Sequence, residues 1–314
     1  MSENSLRIIF MGTPQFAVPS LEAMLSHGRN VIAVVTQPDR RKGRGRKLAP
    51  PPVKEVALQE KLPVLQPDTI KSAAFLSEIE NLKPDIIVVT AYGKILPGPL
   101  LSLPRYGTIN VHGSLLPQYR GAAPIQWALI NGEAETGVTI MQMDEGMDTG
   151  DILLPRAIPI APEDTAGSLA EKLSVLGGEL LVEALDLLTE DKLVSRKQDD
   201  AAATYAPLLS KKDGRIDWEK SASTISCLIR GLDPWPSAYT TLDGKWMRLF
   251  VPEVRDGEVS DAPGTIVRAG TEGLLIATSK GSLLAKEIQR EGGRRMDVES
   301  FLRGRPFAEG SQLD

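Results

Sequence analysis

The feature that most constrains this chain is the rhythm of its first half, where short runs that are apolar at nearly every position alternate with longer segments of helical periodicity. Residues 6–11, 30–36 and 85–90 are such runs, and the second is almost continuously β-branched. A strand covered on both faces reads this way, whereas a strand with one wet face alternates apolar and polar residues. Helical patterns at 15–27, 52–61, 72–82 and 124–131 fill the gaps, and further strands are expected at 63–66 and 108–112. Strand, helix, strand in that order predicts βαβ units and a mostly parallel, Rossmann-like α/β sheet. Two more strands at 136–143 and 151–160 lead into one long amphipathic helix over 165–189.

The polar stretch 195–204 then breaks all periodicity, and a different texture follows. After a helix near 221–229 come short runs at 238–242, 246–251, 264–269, 274–278 and 282–288, separated by turns rich in Gly and Asp. That spacing predicts a small antiparallel β-barrel of the OB-like kind. The division expected of 314 residues is an α/β domain over 1–189, a linker over 190–208 and the barrel over 209–314.

Composition narrows the class. No apolar run approaches the roughly 18 residues a membrane helix needs, and the start, MSENSLRIIFMG, has no basic region followed by a long apolar stretch. A cytoplasmic protein without a membrane partner is therefore expected. Cys227 is the single cysteine, and His27 and His112 are the only histidines, so neither an internal disulfide nor a Cys- or His-rich metal cluster is expected. A formal net charge of −5 argues against a nucleic-acid partner until its distribution is considered. Residues 40–47 read RRKGRGRK, six cations in eight positions, and without them the chain carries −11. From 209 to 314, 16 basic residues balance 16 acidic ones, with Arg290, Arg294, Arg295, Arg303 and Arg305 gathered towards the end.

In an open parallel sheet ligands collect at the carboxyl ends of the strands, so the loops leaving each strand carry the chemistry. Gly12-Thr13-Pro14 has one glycine and no G-x-G-x-x-G, which argues against a dinucleotide cofactor. The basic segment, loosened by Gly43 and Gly45, is costly to hold together and reads as a flexible, phosphate-meeting loop rather than a merely solvated one. The loop over 91–97 offers Ile95 and Leu96, for which packing into the core is the plainer use. The stretch 109–121 is the richest, because Asn110 and His112 alternate along a strand and so share one face. An amide and an imidazole aimed at one point stabilise a carbonyl oxygen that is acquiring charge.

The stretch 143–151 holds four carboxylates in eight residues, with a spacing that fails the calcium-loop pattern. A magnesium site, an exposed acidic turn and a carboxylate partner for His112 are its three possible uses. Asp148, just ahead of Thr149-Gly150, is assigned the third, where it would favour the charged imidazole. No G-x-S-x-G elbow is present, so the nucleophile is expected to belong to the substrate.

The run NVHGSLLPQYRGAAPIQW, followed by ETGVTIMQMDEGMDTGDI, resembles the folate-dependent formyltransferases. MGTPQFAVPSL, TQPDRRKGRGRKLAPPPVK, AYGKILP and IRGLDPWPSAY resemble the tRNA-directed branch of that family, across both domains. The resemblance implies transfer of the formyl group of 10-formyltetrahydrofolate to the α-amino group of methionine on initiator methionyl-tRNA. It implies Asn110, His112 and Asp148 as the catalytic set, and Ser114, Leu115, Leu116 and Pro117 as folate contacts, with Ile95 and Leu96 as further candidates. It also implies that Arg40, Arg41, Lys42, Arg44, Arg46 and Lys47 meet the acceptor stem and that the barrel contacts the tRNA backbone. A monomer is the expected state.

Other acceptors for the same chemistry, a purine precursor or an amino sugar nucleotide, would not need RRKGRGRK. Hydrolysis of the formyl donor would use nearly the same active site. A non-catalytic RNA-binding module on this fold would have lost one of the three catalytic residues, and all three are present.

Overall fold

Contacts in the computed structural model, which describes residues 6–42, 47–257, 260–304 and 306–314, divide the chain into two units. One comprises residues 1–121, 137–158 and 170–205, the other 122–136, 159–169 and 206–314.

The first unit begins with β1 (Ile8–Gly12), α1 (Val18–Ser26) and β2 (Val31–Val35). Then come β3 (Arg40–Lys42), β4 (Lys47–Ala49), α2 (Pro52–Gln59), β5 (Val64–Leu65) and α3 (Ala73–Asn81). β6 (Ile86–Thr90), α4 (Gly98–Leu101), β7 (Thr108–His112) and β8 (Arg120–Gly121) follow. After α5 (Pro124–Ile130), which falls in the second unit, the chain runs through β9 (Glu135–Gln142), β10 (Ile152–Pro159), α6 (Ala166–Thr189) and β11 (Tyr205–Ala206).

Seven strands form one sheet in the order β10-β9-β7-β6-β1-β2-β5. β1 pairs in parallel with β2 and β6, β2 with β5 and β6 with β7, while β9 joins β7 antiparallel. The apolar runs of β1 and β6 are buried throughout, as central strands require. β10, at the edge, alternates between exposed and half-buried positions over its second half. Gly177 in α6 explains how that helix lies so near the sheet, since a Cβ there would come within 2.8 Å of Val111 Cγ1. A helical glycine costs roughly 1 kcal/mol relative to alanine, and the close approach is what it permits.

Two expectations change in this unit. The basic segment is not simply a flexible loop, because Arg40–Lys42 and Lys47–Ala49 pair antiparallel, with Arg40 opposite Ala49 and Arg41 opposite Leu48. Ladder hydrogen bonds use only the backbone, so like-charged side chains that point into solvent do not prevent them. The tip, Gly43 to Arg46, and with it Arg44 and Arg46, lies outside the described residues, as do the side chains of Lys42 and Lys47 and all of Arg305. Residues 190–205 of the stretch expected as a linker are part of the first unit instead. Arg196 and Ile152 exchange backbone hydrogen bonds of 2.8 and 2.9 Å, and β11 pairs with β8.

In the second unit α7 (Ala222–Gly231), capped by Ser221 Oγ accepting from Thr224 N, precedes an antiparallel sheet. Its strands are β12 (Tyr239–Leu242), β13 (Lys245–Arg255), β14 (Ile266–Gly270), β15 (Gly273–Ala277), β16 (Ser282–Arg290) and β17 (Met296–Asp297), ahead of α8 (Val298–Leu302). The order β12-β13-β16-β15-β14 leaves β12 and β14 as edges. The last residues of the chain bridge them. Asp314 exchanges backbone hydrogen bonds of 3.1 and 3.4 Å with Thr241, while Ile266 N donates to Ser311 O and Leu313 N to Gly264 O, both at 2.9 Å. The sheet is thereby closed around Leu249, Ile276, Ile288 and Ile225 of α7. Among the arginines gathered late in the chain, Arg295 is bound to Asp233 at 3.0 Å and stacks 4.0 Å over Phe250, so its charge is used within the fold.

Candidate active site

β7 alternates its side chains, and Val111 points towards Gly177 of α6, so Asn110 and His112 face the opposite side of the sheet. His112 is the last residue of β7, where the strand's backbone gives way to a loop tied down at several points. Thr139, opposite His112 on β9, donates its hydroxyl to Ser114 O at 2.7 Å and accepts from Leu116 N at 3.1 Å. The Ser114 hydroxyl donates to Gln118 O at 2.6 Å.

That loop brings the Tyr119 carbonyl back onto the imidazole. His112 Nε2 lies 3.0 Å from Tyr119 O, and a carbonyl only accepts, so Nε2 carries the proton. Nδ1 is then the ring nitrogen open to chemistry, and it faces Asp148 Oδ2 at 3.7 Å. This separation is beyond a hydrogen bond but close enough for the carboxylate to act on the ring electrostatically. The imidazole is nearly buried, at 6% side-chain exposure, while the carboxylate at 18% retains some solvent. Asp148 Oδ2 also accepts from Gly121 N at 2.8 Å.

Asp148 occupies the loop between β9 and β10 with φ at 54°, in the left-handed region. For a non-glycine residue that conformation costs on the order of 1–3 kcal/mol and persists only where the surroundings impose it. They do so here. Asp144 accepts from Gly146 N at 3.0 Å and from the Thr149 hydroxyl at 2.7 Å. Gly150 admits no side chain, because a Cβ would overlap Gln142 O. The acidic turn therefore presents one carboxylate, Asp148, to His112, while Asp144 is used to shape the turn. The Asn110 amide has no hydrogen-bond partner among the described residues and is half-buried.

The remaining predicted residues are placed less uniformly. Ser114 is fully buried with its hydroxyl committed, Leu116 is buried, and Leu115 and Pro117 are half-buried along the same loop. Leu96 packs into the core cluster with Tyr92 and Leu100, whereas Ile95 is 78% exposed. Arg40 and Arg41 are exposed on β3. Among the described residues no group of three or more His, Cys, Asp or Glu side chains is arranged to hold a metal ion. No described helix is long and apolar enough to cross a membrane.

Sequence reasoning missed the floor of a cavity of about 380 Å³ where the loops leaving β1, β2 and β6 meet, lined by Thr13, Gln37, Arg40, Ala91 and Tyr92. The sheet order changes direction between β6 and β1, and such a switch point is where open α/β sheets take ligands. Gln37 Nε2 and the Thr13 hydroxyl both donate to Tyr92 O, at 3.3 and 3.0 Å. The Tyr92 phenol is buried with no partner among the described residues, and burial pushes its pKa up to about 12, so it stays a hydrogen-bond donor. The apolar look of AYGKILP concealed it.

Comparison with known proteins adds the following. The chain matches the formyl transferase family model over residues 6–185 and the formyl transferase C-terminal domain model over 208–306. It is 58% identical over 302 residues to the methionyl-tRNA formyltransferase of Desulfotalea psychrophila, covering 96% of this chain and 94% of that one. It is 53% identical over 308 residues to the methionyl-tRNA formyltransferase of Geobacter sulfurreducens, covering 98% and 96%. In fold it is similar to an N-formyltransferase from Helicobacter canadensis in complex with folinic acid and dTDP-3-aminofucose, with a TM-score of 0.70, 20% identity and coverage of 91% and 100%. HypX from Aquifex aeolicus in complex with tetrahydrofolic acid is similar with a TM-score of 0.63 and 19% identity, over 98% of this chain and half of that one (50%).

Proposed function

From the premise that the chain belongs to the formyl transferase family, we propose that it transfers the formyl group of 10-formyltetrahydrofolate to the α-amino group of methionine on initiator methionyl-tRNA. The observation that carries this reading is similarity above 50% identity over both domains to proteins of that name. Solved formyl-transferring proteins with other acceptors stand near 20%. The work is divided so that residues 1–189 perform the chemistry and 209–314 hold the tRNA, in the cytoplasm where that tRNA is charged.

The proposed chemistry uses the three polar groups at the end of β7. The neutral amine attacks the formyl carbon, a C–N bond forms, and the carbonyl oxygen becomes an oxyanion. The Asn110 amide donates to that oxygen, as does His112 through Nδ1 when protonated, because Nε2 is engaged by Tyr119 O. Asp148 supports the imidazolium across 3.7 Å. The amine's proton leaves through this pair, directly or by way of a water, and a proton delivered to N10 of the folate lets the second C–N bond break. The pterin and formyl end of the folate lies along Ser114 to Pro117, with Ile95 and Leu96 beyond it. Arg40, Arg41, Lys42, Arg44, Arg46 and Lys47 meet the acceptor-stem phosphates.

A formyl-transfer assay with methionyl initiator tRNA, free methionine and an amino sugar nucleotide as alternative acceptors tests the reading. Transfer to the charged tRNA alone is expected. Equal transfer to free methionine, or formate release with no acceptor, would refute it.

A further inference from the structure

Asp148 stands on a loop without regular structure and in a left-handed conformation, and its carboxylate lies 3.7 Å from His112 Nδ1. Gln198, fifty residues away in the stretch expected to be a linker, supplies the hold. Its Nε2 donates to both Asp148 O, at 2.8 Å, and Gly150 O, at 2.6 Å, and so spans the turn. Its Oε1 accepts from Arg120 Nε at 3.0 Å. Only one orientation of the amide satisfies these partners. Turned over, it would set its oxygen against two carbonyl oxygens and its NH2 against a guanidinium.

Arg120 is 2% exposed, and its Nη2 donates to Asp200 at 2.8 Å, whose side chain is 84% exposed. A buried guanidinium is unfavourable unless its donors are used, and here they orient Gln198 and Asp200. The same short strip of chain meets the pair twice more. On one side of Arg120 the Tyr119 carbonyl accepts from His112 Nε2, and on the other Gly121 N donates to Asp148 Oδ2. Thr204 fixes the strip itself, since Tyr119 N donates to Thr204 Oγ1 at 2.8 Å and Arg120 N to Thr204 O at 2.9 Å.

We propose that Gln198, oriented by Arg120, is a positioning residue for formyl transfer: it holds Asp148 in its left-handed turn and so sets the separation between Asp148 and His112. The proposal rests on the reading of Asp148 as part of the catalytic set. Its chemical logic is that a displacement of about 1 Å in a reacting constellation lowers rate by on the order of 10²-fold without touching substrate binding.

The test is a double-mutant cycle in the full chain, with Gln198→Ala, Asp148→Asn and the combination, reading kcat, KM for methionyl initiator tRNA and melting temperature. Gln198→Ala is expected to lower kcat about 10- to 100-fold with KM within about twofold, and to add nothing further once Asp148 is Asn. A wild-type kcat in Gln198→Ala, or effects that multiply in the combination, would overturn the proposal. A wild-type kcat in Asp148→Asn would overturn the reading of Asp148 instead, so the two failures are distinguishable. Should the alanine variant not fold, Gln198→Glu keeps the size but sets a carboxylate against the Asp148 and Gly150 carbonyls. A folded Gln198→Glu protein with unchanged kcat also sinks the idea.

Discussion

The corner around His112 and the basic hairpin both leave the carboxyl ends of sheet strands, β7 and β2, and they are held in opposite ways. At the corner His112 Nε2 is held by the Tyr119 carbonyl and Asp148 Oδ2 by Gly121 N, while the Gln198 side chain donates to the Asp148 carbonyl. In the hairpin Arg40 and Arg41 stand exposed, and side-chain hydrogen bonds hold its base. There Asp39 accepts from Lys54 Nζ at 2.8 Å and from Gln66 Nε2 at 2.8 Å. Under the proposed function, the difference matches what each region would meet. A transition state tolerates little displacement, whereas a phosphate backbone is attracted over a Debye length of about 10 Å at 0.1 M salt. Geometry is the resource of the first region and charge of the second.

The contrast can be broken most decisively at His112. His112→Ala is expected to lower kcat by about 10² to 10⁴-fold while tRNA affinity stays within about twofold, measured by steady-state transfer and filter binding. A proportionate loss of binding would erase the distinction between the regions. Next in size, replacing Arg40 and Arg41 by Ala is expected to raise KM for tRNA, leave kcat at saturation unchanged and reduce the slope of log affinity against log salt by about 2. An unchanged slope would remove the hairpin from the interface.

The smallest effect concerns the hairpin's base. Hydrogen bonds from Lys54 and then Gln66 hold the Asp39 carboxyl below its ordinary value. A carboxylate whose folded value is depressed contributes stability that is present above its unfolded value, near 3.9 on the general scale, and is lost as pH falls through the folded one. Protection from hydrogen exchange in residues 40–42 and 47–49 should therefore be insensitive to pH near neutrality and fall only in acid, with Asp39→Asn lowering it already at neutral pH and removing that acid step. A transition near neutrality would show that another group holds the hairpin.

Much of this was legible in the sequence, for reasons that can be named. The nearly continuous apolar runs at 6–11 and 85–90 read as strands covered on both faces, observed at 8–12 and 86–90, and the alternation of Asn110 with His112 told which side chains share a face. Residues 143–151 read as a segment offering four carboxylates, and the fold sets Asp148 3.7 Å from His112. The support was not legible. Gln198 and Arg120 meet across 78 positions, and nothing in a polar stretch without periodicity signals that its amide will close on a turn far upstream. The Tyr119 carbonyl that decides the tautomer of His112 is backbone, which carries no residue signature. Charge hid the pairing of β3 with β4, because six cations in eight residues read as mutual repulsion whichever way the backbone runs. A count of arginines also could not show that Arg295 is occupied by Asp233.

The seating of residues 311–314 between β12 and β14 bears on a different hazard. An antiparallel sheet with two free edges invites strands from other molecules, and naturally soluble sheets guard those edges. Here one short segment covers both at once, through Thr241 on one side and Gly264 and Ile266 on the other. Loss of these few residues would uncover backbone groups on both edges and remove the buried Leu313 from the cluster of Leu249, Ile276 and Ile288. Residues 311–314 thus occupy backbone donors and acceptors that edge strands would otherwise leave open to pairing.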